Sequence, residues 1–417
     1  ARDYLAWYAP YQFKNGKVPC CVDARGSDPV PENDSHGELV YLADQVYRYT
    51  HDRALLESTW PHVDGAVRYM DELRTSERTD ANRSGDRRAF YGLMPASISH
   101  EGYSAKPMHS YWDDFWTLTG YKSAVNIAGV LGKTDDATQI ARSRDEFRGD
   151  LYASIRQAVA DHRIDYLPGS AELGDFDATS TTIALAPAGE QANLPQNLLH
   201  ATFERYWHQF AQRRDGSAPW KDYTPYEWRT VGSFVRLGWR ERAQDAIAFF
   251  MHDRRPVEWN QWAEVVGADA RESRFVGDMP HGWVASDFIR SVLDLFAYER
   301  ESDESLVLAA GVPDSWLDDD GIRVDKLRTP YGPISFSLKR ESDGLHAEIK
   351  SEGFTMPPGG IVISPPTVAG RIAFSNGRRI ETKNGELRVH ALPAHIMIGN
   401  AGTSESKPVP KTPSPDK

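Results

Sequence analysis

From the start of the chain to about Arg300, apolar residues recur at helical spacing in runs broken by loops rich in Gly, Pro and Asp. Ser35 opens one such run, with Leu39, Val40, Ala43, Val46 and Tyr47 on its inner face. The next covers about 53–70 and crosses Trp60 and Pro61. Phe115, Leu118, Val125, Ala128 and Leu131 mark a buried stripe on a helix that starts near Tyr111. Further helices are predicted over about 136–159, 196–210, 226–237, 240–251 and 284–298. With the opening fragment, about ten helical segments result. Helices in sequential pairs with long loops at one end predict a mainly α fold, a helical toroid rather than a compact bundle.

After about Ser302 the period changes from helical to alternating. Residues 334–338 and 345–349 alternate as half-buried strands do, and 361–363 and 396–398 supply further strands. Asn376-Gly377 and Asn384-Gly385 are strong hairpin-turn dipeptides. The expected organisation is a helical domain over 1–301, a small C-terminal antiparallel β-sandwich over 302–402, and a disordered Ser/Lys/Pro-rich tail over 403–417.

A length of 417 residues agrees with two domains. The formal net charge of −12 argues against nucleic acid or an anionic membrane surface as partner and fits a neutral ligand. No stretch has the apolar length needed for membrane insertion. The 12 Trp are more than most chains of this size carry, and indole faces suit the C–H surfaces of pyranose rings. Cys20 and Cys21 are neighbours, which rarely pair with each other, so they indicate no compartment. The chain opens on a stretch from Arg2 to Tyr8 that reads as the middle of a helix and has no initiator Met, so further chain is expected upstream.

Candidate chemistry concentrates in four places. The first is the turn into the Tyr111 helix, where Asp113 and Asp114 sit among Tyr111, Trp112 and Trp116, with Glu101 and His109 close by. Acids at a helix start also favour the helix dipole, but this density of rings and carboxyls suits the binding and protonation of a sugar. The second is Glu264, which follows Trp259 and Trp262 and could orient water as a general base. The third is Asp34, His36 and Glu38, read either as a grip on sugar hydroxyls or as a capping box closed by Glu38 on Ser35. The fourth is His281 and Trp283, in a Gly/Pro loop that begins at Gly277 and Asp278 and precedes the last helix. Tyr226 begins another helix, where Glu227, like Asp175 and Asp177, reads as a cap. No metal-ligand spacing, phosphate-cradling loop or nucleophile elbow is present, and neither metal nor cofactor is expected.

These residues resemble those of the (α/α)6-barrel glycoside hydrolases, the glucoamylase-type and α-L-rhamnosidase-type groups above all. The glucoamylase pattern of Trp, two acids and a helix ending in Leu-Gly is matched by Trp112-Asp113-Asp114 running on to Leu131-Gly132. The resemblance implies Asp113 as general acid, Asp34 in an acid-rich strip lining the cleft, and Glu264 as general base. It also matches a His-bearing loop before the last barrel helix, here His281, followed by a small β-domain. Asp stands where the family has Glu at the acid position, so Asp114 and the longer-armed Glu101 compete for that role. About ten helices against the family's twelve imply that the first hairpin is lacking. The likeness covers about three quarters of the chain, at motif level. It leans toward a periplasmic or extracellular setting.

The expected activity is therefore hydrolysis of a glycosidic bond in an oligo- or polysaccharide, with inversion. Asp113 would protonate the glycosidic oxygen while Glu264 activates water, a division of work that needs carboxyl groups roughly 6.5–9.5 Å apart. Trp259, Trp262 and Trp283 would stack on sugar rings. The alternatives are a glycoside phosphorylase, a polysaccharide lyase using Tyr or His as base, and a noncatalytic carbohydrate-binding protein.

Overall fold

The computed structural model describes residues 1–100, 102–254, 256–269, 279–366 and 372–399. Glu101, Gly277, Asp278 and the tail from 403 lie outside them. Ten α-helices are found among the described residues: α1 (Arg2–Tyr8), α2 (Asp34–Thr50), α3 (Arg53–Ser76), α4 (Tyr111–Leu131), α5 (Thr134–His162), α6 (Ala178–Leu185), α7 (Gln196–Arg214), α8 (Trp228–Arg236), α9 (Arg240–His252) and α10 (Gly282–Phe296). Two compact units result, Ala1–Ser233 with Asp253–Ala285, and Phe234–His252 with Ser286–Lys417.

In the first unit α4 is the central element. Every residue from Tyr111 to Tyr121 is buried, which marks a helix enclosed on all sides rather than one with a single inner face. Its closest partner is α2, and small residues make that approach possible. A Cβ at Gly37 would lie 2.0 Å from the Trp116 carbonyl oxygen, and one at Gly120 would lie 2.6 Å from the Gly37 Cα. The two backbones therefore touch, which sets the starts of α2 and α4 side by side. Pro61 is accommodated inside α3, as the pattern across 53–70 requires.

The second unit contains α9 and two sheets. The strands are β1 (Ala297–Arg300), β2 (Ser305–Leu308), β3 (Ile322–Thr329), β4 (Gly332–Glu341), β5 (Gly344–Lys350), β6 (Ile361–Ile363), β7 (Ile372–Ser375), β8 (Arg378–Ile380), β9 (Thr382–Lys383), β10 (Glu386–Val389) and β11 (Ala394–Gly399). They form sheets of order β9-β10-β6-β2-β1 and β8-β7-β11-β5-β4-β3. All pairings are antiparallel except β6 with β2, which run parallel. Leu306, Ile361 and Leu387 from one sheet share a core with Phe336, Ile349 and Ile396 from the other, so this is a sandwich. Asn376-Gly377 and Asn384-Gly385 turn their hairpins with positive φ at both positions.

Candidate active site

The α2 and α4 starts bring three acids together. The α2 N-cap is Asn33, whose side-chain amide donates to the Pro95 carbonyl (2.8 Å) instead of capping the helix. Asp34 is thereby the first helical residue, and its Oδ2 accepts from the Trp112 indole Nε1 of α4 at 2.7 Å. No capping box forms, because the helix begins two residues earlier than a Ser35 cap requires. Glu38 is left half-buried, with no hydrogen bond to its carboxyl among the described residues. Burial and the Asp34 carboxyl hold Glu38 well above the usual carboxylate range, against the opposing pull of Arg229.

Asp113 is 1% exposed. Ser97 donates to its Oδ2 at 2.6 Å, and Ser99 reaches its Oδ1 at 2.7 Å while lying 3.0 Å from Ser110 Oγ. Burial holds its proton on well above the usual carboxylate range, the Asp34 carboxyl adds to this, and the serines oppose it. Asp114 faces another way, taking the Met94 backbone N–H on Oδ1 (2.9 Å), while its Oδ2 is buried without a hydrogen-bond partner among the described residues. Burial moves it up to about 8. It ties down the strip that carries Ser97 and Ser99, so it supports the site from behind.

Glu264 reaches the same neighbourhood through a short antiparallel ladder of Asp222–Tyr223 with Val266–Gly267. The turn Pro225–Glu227 follows this ladder and is locked by Glu227, which pairs with Arg213 and accepts from the Tyr206 hydroxyl at 2.5 Å. So held, Tyr226 directs its hydroxyl to Glu264 Oε1 (3.2 Å), with His281 Nε2 3.4 Å from the same hydroxyl and 4.0 Å from Glu264 Oε2. The His281 Nδ1 faces the Val284 backbone N–H at 3.4 Å, which leaves Nε2 as the proton-bearing nitrogen of the neutral ring.

An aromatic box joins the two halves of the site. The Arg229 guanidinium lies 4.7 Å from the Trp112 ring, 4.7 Å from Tyr226 and 5.4 Å from Trp283. Trp112 and Trp283 are 6.0 Å apart and Tyr226 and Trp283 5.7 Å. Trp116 packs edge-on to Trp112 and Tyr41, and its indole Nε1 is buried with no protein acceptor among the described residues. His100 sits edge-on to Trp112 at 4.9 Å, with Nε2 2.7 Å from Ser180 Oγ.

Asp34, Glu38, Trp112, Asp113, Trp116, Tyr226, Glu264, His281 and Trp283 thus form one connected group. Other candidates lie elsewhere. His36 is fully buried, with Nδ1 accepting from Val18 N–H (3.2 Å) and its ring edge-on to Tyr69, and burial depresses it to about 3. His109 stacks on Phe90 (4.3 Å) between Glu172 (2.5 Å) and Glu77 (3.7 Å). Its burial alone would lower it, but these carboxylates raise it to about 9. Trp262 is buried against Trp228, while Trp259 is exposed on a single 3-10 turn. Asp177 is the cap expected, accepting from Ser180 N–H at 2.9 Å, whereas Glu227 is an ion-pair partner instead. Ser97, Ser99 and Arg229 escaped the sequence reading; Arg229 follows Tyr226 by three residues, one helical turn, and that spacing was its only signal. In the other unit, exposed Glu341 and Asp343 and half-buried His346 bring three ligand-type atoms together.

Comparison with known proteins adds to this geometry. No protein-family model matches the chain, and no curated protein does. Solved structures do. The α-L-rhamnosidase from Dictyoglumus thermophilum superposes with TM-score 0.51 at 12% identity, over 96% of this chain and 43% of that one. The GH78 family rhamnosidase of Bacillus sp. GL1 gives 0.51 at 13%, over 82% and 34%. The Streptomyces avermitilis α-L-rhamnosidase complexed with L-rhamnose gives 0.50 at 13%, over 95% and 36%. The chain has the fold of the α-L-rhamnosidases. It is a glycoside hydrolase fold of the helical-toroid class with a C-terminal antiparallel β region. The chain spans less than half the length of these relatives. Among the described residues no helix is long and apolar enough to cross a membrane.

Proposed function

We propose that this protein is a glycosidase that hydrolyses a neutral oligo- or polysaccharide with inversion. The observation that carries the reading is the pairing of two acid groups by the Trp112–Tyr226–Trp283 box, Glu264 on one side and the acids of the α2 and α4 starts on the other. Glu264 accepts the proton of the attacking water, held in place by Tyr226. The proton for the leaving oxygen comes from the α2/α4 acids, whose burial keeps them protonated. The exposed Trp283 ring offers its face to pyranose C–H groups.

The test is a panel of glycosides of neutral pyranoses, with α-L-rhamnosides first because the similar folds belong to rhamnosidases. Proton NMR of the first-formed sugar reads the anomer, and inversion is expected. Retention would overturn the single-displacement mechanism, and absence of turnover across the panel would overturn the hydrolase reading. The Tyr226–His281 pair also favours a second reading, a lyase in which the phenol removes a proton. Uronate-containing polymers would then give a product absorbing in the ultraviolet.

A further inference from the structure

Within the hydrolase reading, on which this inference rests, we propose that Glu38 on α2, rather than Asp113 on α4, hands the proton to the glycosidic oxygen. A general acid must reach the substrate atom within hydrogen-bond distance, so it needs both a proton and an open face. Asp34, Asp113 and Asp114 are 2%, 1% and 0% exposed. Asp34 is tied to the Trp112 indole, Asp114 to the Met94 N–H, and Asp113 gives both oxygens to serine hydroxyls. A proton on Asp113 Oδ1 points at Ser99, whose own hydroxyl then turns to Ser110, and so leads into the protein. Glu38 alone among these four acids keeps exposed surface and is held by no hydrogen bond among the described residues.

The surroundings fit both halves of a donor's cycle. Asp34 one turn earlier, Glu32 in the preceding loop and Asp113 on α4 all resist a charge on Glu38, which keeps the proton in place at rest. The Tyr4 and Tyr8 hydroxyls of α1 lie within its field as neutral groups. Arg229 of α8 opposes them, and it stabilises the carboxylate left after the proton has gone. In the step itself the Glu38 O–H bond breaks and its proton joins the glycosidic oxygen, which takes the electron pair of the C1–O bond. Water then bonds to C1 and its proton passes to the Glu264 carboxylate. The two carboxyls exchange protons with solvent before the next turn.

The experiment compares full-length Glu38→Gln and Asp113→Asn on two substrates of the sugar that wild type hydrolyses best. One is an alkyl glycoside, whose departure needs a proton, and the other a 2,4-dinitrophenyl glycoside, whose departure does not. Glu38→Gln is expected to lose about 10²–10⁴-fold in kcat/KM on the alkyl glycoside. It should change the dinitrophenyl rate far less and abolish the alkaline limb of the pH profile. Glu38→Asp, which keeps the proton but withdraws it, should recover part of the alkyl rate and serves in place of Gln if that variant unfolds. An equal loss on both substrates overturns the assignment, as does a leaving-group-dependent loss in Asp113→Asn instead. Wild type inactive on every glycoside tried would overturn the hydrolase reading and the assignment with it.

Discussion

Glu264 depends on Tyr226 for its orientation, and the two residues make separable predictions. Under the proposed mechanism Glu264→Gln should lower kcat/KM by about 10²–10⁴-fold on every leaving group, because water activation is common to all of them. Tyr226→Phe removes one hydrogen bond to a charged group, worth ~1.5–3 kcal/mol, and should cost about 10- to 100-fold. Steady-state kinetics on the best substrate checks both. Asp114 and His109 make predictions for stability instead. Asp114 titrates at about 8 in the folded chain and near the ordinary carboxylate value when unfolded, so between those pH values only the folded state holds its proton. Stability therefore falls as pH rises through that window. Asp114→Asn should gain stability relative to wild type between pH 5 and pH 9, and a difference independent of pH in urea titrations would contradict this. His109 titrates at about 9, so its stabilising pairs with Glu172 and Glu77 are complete below about pH 6.5 and lost as pH rises through about 9. His109→Gln should accordingly be costly at pH 6 and nearly neutral above pH 9 in the same assay.

The crossing of α2 and α4 is where helix geometry sets the acids of the proposed site. Gly37→Ala would drive a methyl into the Trp116 carbonyl, and the helices would have to part. A loss of ~1–3 kcal/mol is expected, together with loss of activity, since the Asp34–Trp112 bond and the Glu38 position both depend on that approach. Gly129 on the same helix α4 is exposed and has no atom within 4 Å of an added Cβ. Gly129→Ala should therefore stabilise by up to ~1 kcal/mol through helix propensity and leave activity unchanged. Thermal melts of the two variants distinguish a required close approach from an ordinary helical glycine.

The composition change at 301–302 falls inside the second compact unit, which also takes in 234–252 and 286–301. Strand β1 pairs with β2 along its whole length, Arg240 donates to the Ser364 carbonyl, and Gln244 donates to that of Gly311. A fragment 302–402 would expose an unpaired β2 edge and lose α9, so it should show no cooperative melt. A sharp calorimetric transition from that fragment would instead support the boundary at 302 and a sandwich that folds alone.

Period and turn chemistry were enough to identify the toroid class, the strands 334–338 and 345–349, and both Asn-Gly hairpins, because each follows from a local backbone preference and from which face must leave water. The short α6 was marked only by its Asp177 cap, since a helix of eight residues buried at all but Thr179 has no polar face to mark its period. Asp34, Trp112, Glu264, His281 and Trp283 could be picked out from their aromatic and acidic neighbours along the chain. Which of those acids keeps an open face could not. The burial of His36, the clamp on His109, the serines on Asp113 and the seat of Arg229 all arise from residues distant in sequence. Exposure and hydrogen bonding depend on what packs against a side chain after the chain has folded, and the α2–α4 contact through Gly37 and Gly120 sets that here.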